Sequence, residues 1–85
     1  MTWKGNGKVN AIDISKNGSR IASGSGKFVR VLNASTGEVL KILKGHTDDV
    51  TSVTFSADSS RVVSGSRDRM VRVQRYLYIL YKQML

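Results

Sequence analysis

Residues 45–74 read GHTDDVTSVTFSADSSRVVSGSRDRMVRVQ, and this stretch decides the fold. It opens on Gly45-His46 and passes into an alternating apolar segment from Val50 to Ser56. It turns at Asp58-Ser59, rises through Arg61-Val62-Val63, turns again at Ser66-Arg67-Asp68 and ends on Val71-Arg72-Val73. Alternation broken by clusters of Ser, Asp and Gly marks short strands joined by tight connections. The stretch therefore reads as three strands behind a Gly-His dipeptide.

A worn copy lies upstream. Val9–Ser15 aligns with Val50–Ser56 at an offset of 41 residues, and Arg20–Ser25 aligns with Arg61–Ser66 at the same offset. Val29-Arg30-Val31 aligns with Val71-Arg72-Val73 at an offset of 42, so the upstream copy is one residue shorter between its second and third strands. A period of this size points to a repeat architecture of stacked units.

The upstream strands are expected at Val9–Ser15, Arg20–Ser25, Phe28–Leu32 and Glu38–Leu43, and the downstream ones at Val50–Ser56, Arg61–Ser66 and Met70–Gln74. Asn17-Gly18 is read as a two-residue hairpin turn, because Gly accepts positive φ. Several strands are apolar on both faces, as befits a sheet sandwiched between neighbours. The expected fold class is all-β: two antiparallel four-stranded blades forming an incomplete, open β-propeller.

Composition sets the bounds. A chain of 85 residues buries only about 60–65% of its unfolded surface, so its core is marginal. Cysteine is absent, which leaves no disulfide or thiolate metal site to compensate. The first residues, MTWKGNGK, hold no apolar signal core, and Tyr76–Tyr81 is the longest apolar run. That run is far short of the ~20 residues of a membrane helix. The expectation is an intracellular, cytoplasmic protein with no membrane contact.

Taken as a set, Gly45-His46, Val50-x-x-Val53-x-Phe55-Ser56, Arg61–Ser66, Asp68 and Val71-Arg72-Val73 resemble the WD-repeat family of β-propellers. Ser35-Thr36-Gly37-Glu38 with Leu40 resembles the loop and last strand of such a repeat. The resemblance covers roughly positions 8–74. There are departures. The family's closing Trp-Asp is replaced by Gln74-Arg75 and by Leu32-Asn33, and Gly5-Asn6 stands in place of Gly-His in the upstream copy. That copy has Gly26 where the other has Arg67-Asp68. The Pro expected after the first strand is Lys16 or Ala57.

His46, Ser64 and Asp68 together invite a catalytic reading, since a nucleophilic hydroxyl needs a base and the base an orienting acid. The resemblance implies otherwise. In the family these positions form a hydrogen-bond network that ties the loops of one blade together, with the Trp missing at Gln74 weakening it. No strained nucleophile turn or oxyanion donor set is visible, and a triad is defined by geometry rather than by composition. No catalytic residue is assigned.

Other motifs fail on their spacing. Gly24-Ser25-Gly26-Lys27 ends like a phosphate-binding loop, but positions 21 and 28 are Ile and Phe, where that loop needs Gly and Ser or Thr. Asn17-Gly18-Ser19 and Asn33-Ala34-Ser35 are glycosylation sequons that mean nothing without secretion. Asp48-Asp49 with Asp58 is read as solvated turn carboxylates; with one His and no Cys, no metal and no cofactor is expected. The formal charge of +8 raises nucleic acid as a partner, yet the 14 Lys and Arg are spread along the chain without a run. An RNA-binding sheet also needs exposed aromatics among its charges, and inside the repeats only Phe28 and Phe55 are aromatic.

The chain is thus divided into a degenerate first repeat (1–44), a three-stranded second repeat (45–75) and a tail (76–85) read as unrelated sequence or a substitute fourth strand. The resemblance implies a non-enzymatic scaffold for protein–protein interaction. The loops before the first strand and between the second and third share one rim. It carries Thr47, Asp48, Asp49, Arg67 and Arg69 in the second repeat, and Asn6, Lys8 and Lys27 in the first. The expected partners are other proteins, or further WD repeats completing the propeller. The alternatives are a basic nucleic-acid-binding module and a non-functional truncated gene product. Two blades leave two faces bare, expected to carry Val9, Ile12, Ile14, Val53 and Val62. Self-association through those faces is open; a piece of a longer protein is the preferred reading, because repeat proteins need about three or more units.

Overall fold

The computed structural model describes residue 2 and residues 7–76. It holds seven strands: β1 (Val9–Ile14), β2 (Arg20–Ser25), β3 (Phe28–Asn33), β4 (Val39–Leu43), β5 (Val50–Phe55), β6 (Arg61–Ser66) and β7 (Val71–Arg75). They form two antiparallel sheets in sequence order, β1-β2-β3-β4 and β5-β6-β7. These are the two blades. The second shows three strands among the described residues; a fourth would fall in 77–85, outside them. The edge segment at Met1–Lys4 and the rim position Asn6 also fall largely or wholly outside them.

The first strand of each blade stops one residue before its serine because that serine closes the following turn. Ser15 N donates to Arg20 O, Gly18 N to Ser15 O, and Arg20 N to Ser15 Oγ, each at 2.9 Å. The Asn17-Gly18 connection is therefore a four-residue loop over 16–19, not the expected two-residue turn, and of its residues only Gly18 takes positive φ (76°). The second blade repeats it without glycine, with Ser59 at φ 61°. A polar side chain organises each loop. Asn17 Oδ1 accepts bonds from Ser15 Oγ, Ser19 N and Ser19 Oγ, and Asp58 Oδ1 accepts them from Ser56 Oγ, Ser60 N and Ser60 Oγ. Such local acceptors are why Asn and Asp favour turns. The Ser56 hydroxyl, followed by the Ser60 donors, holds the Asp58 carboxyl well below the usual carboxylate range, against the smaller upward effect of burial.

The missing residue of the first blade sits where the sequence placed it. β2 and β3 turn through Gly26-Lys27 alone, with Ser25 paired to Phe28 and Gly26 at φ 57°. β6 and β7 need a wider turn, with Gly65 paired to Val71 and Arg69 at φ 70°.

The core lies between the blades. β5 packs across β1, β2 and β3. Ala22, Val29, Val31 and Leu43 of the first blade meet Val50, Val62 and Tyr76 of the second, with Val53 and Phe55 packed against them. Gly24 allows this approach: a Cβ there would stand 2.7 Å from Val50 Cγ1. Polar bonds pin the contact. Asp13 Oδ2 accepts from Phe55 N at 2.8 Å and from Thr54 Oγ1 at 3.2 Å, while Val50 N donates to Gly26 O at 2.8 Å and Asn10 Nδ2 to Val50 O at 3.3 Å. Val53 and Val62, expected on a bare face, are thus interface residues; Val9, Ile12 and Ile14 are exposed.

Tyr76, the first residue of the tail as divided above, packs against the second blade. Tyr76 is buried, sits edge-on to Phe55 with ring centroids 5.7 Å apart, and donates its hydroxyl to Ser59 O. Burial raises that hydroxyl's pKa above its ordinary value, against the field of Arg20. Its amide donates to Ser60 O at 3.2 Å, as Ala34 N donates to Ser19 O at 3.0 Å in the first blade. Tyr76 therefore closes the second blade, and the rest of the tail, 77–85, lies outside the described residues.

Candidate functional site

The structure brings His46, Ser64 and Asp68 together. His46 stands in the segment before β5, Ser64 on the inward face of β6 and Asp68 in the turn after it. Gly45 lets the chain enter at φ +138°, and a Cβ there would lie 2.4 Å from the Arg72 guanidinium carbon. The Gly-His dipeptide is thus set by backbone conformation and by the arginine folded over it.

His46 Nδ1 lies 2.8 Å from Asp68 Oδ2, and Nε2 lies 2.8 Å from Ser64 Oγ. A carboxylate can only accept, so Nδ1 donates to Asp68; in the neutral ring Nε2 then accepts from the Ser64 hydroxyl. Asp68 Oδ2 also accepts from Thr47 N at 3.0 Å and Oδ1 from Met70 N at 2.8 Å. Burial alone would raise the Asp68 pKa; the bonds from Thr47 N, His46 and Met70 N outweigh it and bring the carboxyl down to about 2. One carboxylate therefore ties the segment before β5 to the β6–β7 turn. Two further bonds join the same pieces, from Arg67 N to Asp49 O at 2.9 Å and from Ser66 Oγ to Asp48 O at 3.0 Å.

The distances match a Ser-His-Asp relay, but the surroundings do not. Ser64 is only 1% exposed, two residues along β6 from Val62 of the interblade core. Attack geometry requires access as well as a base. The arrangement is a tie between loops.

Gln74, which stands in place of the closing Trp of the repeat pattern, takes a different role. Its Nε2 donates to Lys44 O at 2.9 Å, anchoring the strand end to the segment that leads into Gly45-His46. The first blade has no such network among its described residues. Ser23, which aligns with Ser64, is buried with its hydroxyl unpartnered.

The rim residues of the two blades meet at the blade junction. Lys8, Lys27 and Asp49 line a cleft of about 330 Å³ whose floor holds Ser25 and the Arg30–Phe28 pair. The Arg30 guanidinium lies 5.6 Å from the Phe28 ring centroid, within cation–π range. Thr47, Asp48, Arg67 and Arg69 are exposed beside it on the second blade. Among the described residues no group of three or more His, Cys, Asp or Glu could hold a metal, and no helix is long and apolar enough to cross a membrane. The Asp13 clamp was missed in the sequence. Its acceptor role depends on β5 lying alongside, and no residue next to Asp13 signals that.

Comparison with known proteins agrees with this geometry. The family model described as "WD domain, G-beta repeat" (WD40) matches residues 1–33 and 37–73. WD repeat-containing protein 18 of Homo sapiens is 36% identical over 67 residues, which are 79% of this chain and 16% of that protein. Pre-mRNA-processing factor 19 of Mus musculus is 42% identical over 53 residues, 62% of this chain and 10% of that protein. The chain thus spans about a sixth or less of these relatives' length. The β-propeller domain of Myceliophteria thermophila Cps50 (Swd1) superposes with a TM-score of 0.80 at 22% identity, over 86% of this chain and 23% of that one. This last likeness concerns the fold.

Proposed function

Because the chain belongs to the WD-repeat family, we propose that it is a non-enzymatic, intracellular scaffold that binds other proteins through the rim on which the two blades meet. The observation that carries this reading is the tying of that rim. Asp68, His46 and Ser64, with the Arg67–Asp49 and Ser66–Asp48 bonds, hold two loops in one conformation while Thr47, Asp48, Asp49, Arg67 and Arg69 stay exposed. A pre-ordered loop pair loses less entropy on binding. Lys8 and Lys27 face Asp49 across the junction cleft. Mixed charge suits a polar protein interface rim better than a groove that tracks phosphates.

The test is site-specific photocrosslinking. A crosslinker in place of Asp49 or Lys27 is expected to capture discrete protein partners, and one in place of Lys16, in the loop at the opposite end of the strands, to capture none of them. Equal capture at both ends would overturn the rim. The nucleic-acid alternative is separated by salt: binding driven by the +8 charge falls steeply between low and moderate salt, whereas a shaped protein contact persists.

A further inference from the structure

Equivalent positions of the two blades differ in exposure in one consistent way. Val29 and Val31 of β3 are 1% and 0% exposed, covered by the second blade; Val71 and Val73, their counterparts on β7, are 73% and 60% exposed. In the other direction, Val53 and Phe55 of β5 pack into the interblade core, while their counterparts on β1, Ile12 and Ile14, are 70% and 57% exposed. The second blade thus presents a bare receiving surface of the kind the first blade has filled, and the first presents a bare inserting strand of the kind the second has buried.

We propose that these two faces dock onto each other between copies of this chain, head to tail, reproducing the contact already present within it. The fit is specific. Gly24 opens the notch that takes Val50 and Val53, and Gly65 stands at the same place in the second blade. Val9 and Ile12, at the positions of Val50 and Val53, are the exposed groups that fill it. Ser52 Oγ lies over Gly65, and a χ1 rotation of this exposed serine clears the notch. Thr54 stands where Asp13 stands, so the contact between copies has no carboxylate clamp and is made by apolar packing. Each copy uses two different surfaces, so the interface is heterologous and repeats until a ring closes. For the 85-residue chain, with two blades among the described residues of each copy and propellers of about 4–8 blades, closure takes about two to four copies.

The experiment is light scattering on the purified 85-residue chain and on two double variants. Ile12→Lys with Ile14→Lys removes the inserting strand; Val71→Lys with Val73→Lys removes the receiving surface. The unaltered chain is expected as a discrete oligomer. Each variant alone is expected as a monomer with its β-sheet circular dichroism kept, and an equimolar mixture as a dimer and nothing larger, since one intact surface of each kind remains. Should a lysine pair lose its β signal, the corresponding threonine pair replaces it. A cooperatively melting monomer from the unaltered chain, a mixture that stays monomeric, or variants that dimerise alone would each overturn the proposal. Asp49→Lys, which alters only the rim, leaves these masses unchanged.

Discussion

The two blades share a plan and differ in how it is finished. Ser23 and Ser64 occupy the same place on the second strand of their blades, both buried. Ser64 Oγ is bonded to His46 Nε2, and His46 gives Nδ1–H to Asp68. Ser23 has no partner, and its turn lacks both the Asp and one residue. The three-residue span 67–69 carries Asp68 back over the segment before β5, whereas Gly26-Lys27 is too short to do so. In place of that tie the first blade has β4 paired beside β3, and its Gly26 O receives Val50 N from the second blade. Loop order in one blade comes from a side-chain network, in the other from adjacent backbone.

The largest effect is expected at the ends of the blades. Tyr76 and Ala34 follow the third strands and donate equivalent amide bonds, but only Tyr76 carries a side chain into the core. Removing a buried aromatic costs about 3–5 kcal/mol, comparable to the whole stability of a small domain. Tyr76→Ala should unfold the chain or bring its urea midpoint close to zero, while Ala34→Ser changes it little. A chain ending at Tyr76 should keep the β signal that a chain ending at Arg75 loses. Equal midpoints for the Tyr76 and Ala34 variants would show that blade closure does not depend on that ring.

Next comes the network. Asp68→Ala strips acceptors from Thr47 N, Met70 N and His46 at once, and leaves donors without partners. The expected loss is about 5–10 °C in melting temperature. Acid should reproduce it. The folded pKa of Asp68 is about 2, below the ordinary 3.8, so its stabilisation is fully present above the ordinary value and fades as pH falls through 2. Asp58 shifts in the same direction. Asp68→Asn should therefore shrink the loss of melting temperature between pH 5 and pH 2, and an unchanged acid profile would remove Asp68 from the network. The equivalent change in the first blade, Lys27→Asp, gains nothing unless a residue is also added to its turn.

Much of this organisation was legible in sequence. Strand limits fell within one residue, because Val, Ile and Phe alternate with Ser and Thr between Asn-Gly or Asp-Ser punctuation. His46, Ser64 and Asp68 were found together through their resemblance to a family motif. What sequence hid depends on which surface lies opposite. Asp13 looks like any strand carboxylate until β5 places Phe55 N beside it. Val29 and Val71 are the same residue in the same local context, yet one is covered and the other bare. Ser59 and Arg69 take positive φ without being glycine, at a cost the surrounding bonds offset.

A smaller effect is expected at Gly24. A methyl there meets Val50 Cγ1 in a buried contact, whereas a methyl at Gly65 meets only the exposed Ser52 hydroxyl. Overpacking costs about 1–3 kcal/mol, and one methyl belongs near the lower end. Gly24→Ala should lower the urea midpoint and loosen amide protection along β5; within a single copy, at dilutions where copies are apart, Gly65→Ala should do neither. Equal effects would mean that the blades are not pressed together at Gly24.

The smallest effect, opposite in sign, belongs to Ser23. A buried hydroxyl without a partner costs roughly 1–3 kcal/mol in lost solvation. Ser23→Ala removes the oxygen but leaves a small void, since the neighbouring Arg30 and Ile12 pair positions on β3 and β1 are fixed by the ladder. The lost packing offsets part of the gain, so the net is a stabilisation of about 0.5 kcal/mol. Ser64→Ala removes the same atom from the same place in the other blade, yet it deprives His46 Nε2 of its partner and should destabilise by about 1 kcal/mol. The contrast in sign carries the argument, because side-chain volume and strand propensity change identically in the two variants. Parallel urea titrations of both decide it. If Ser23→Ala loses stability as Ser64→Ala does, Ser23 is hydrogen-bonded in solution, and the first blade has a tie of its own.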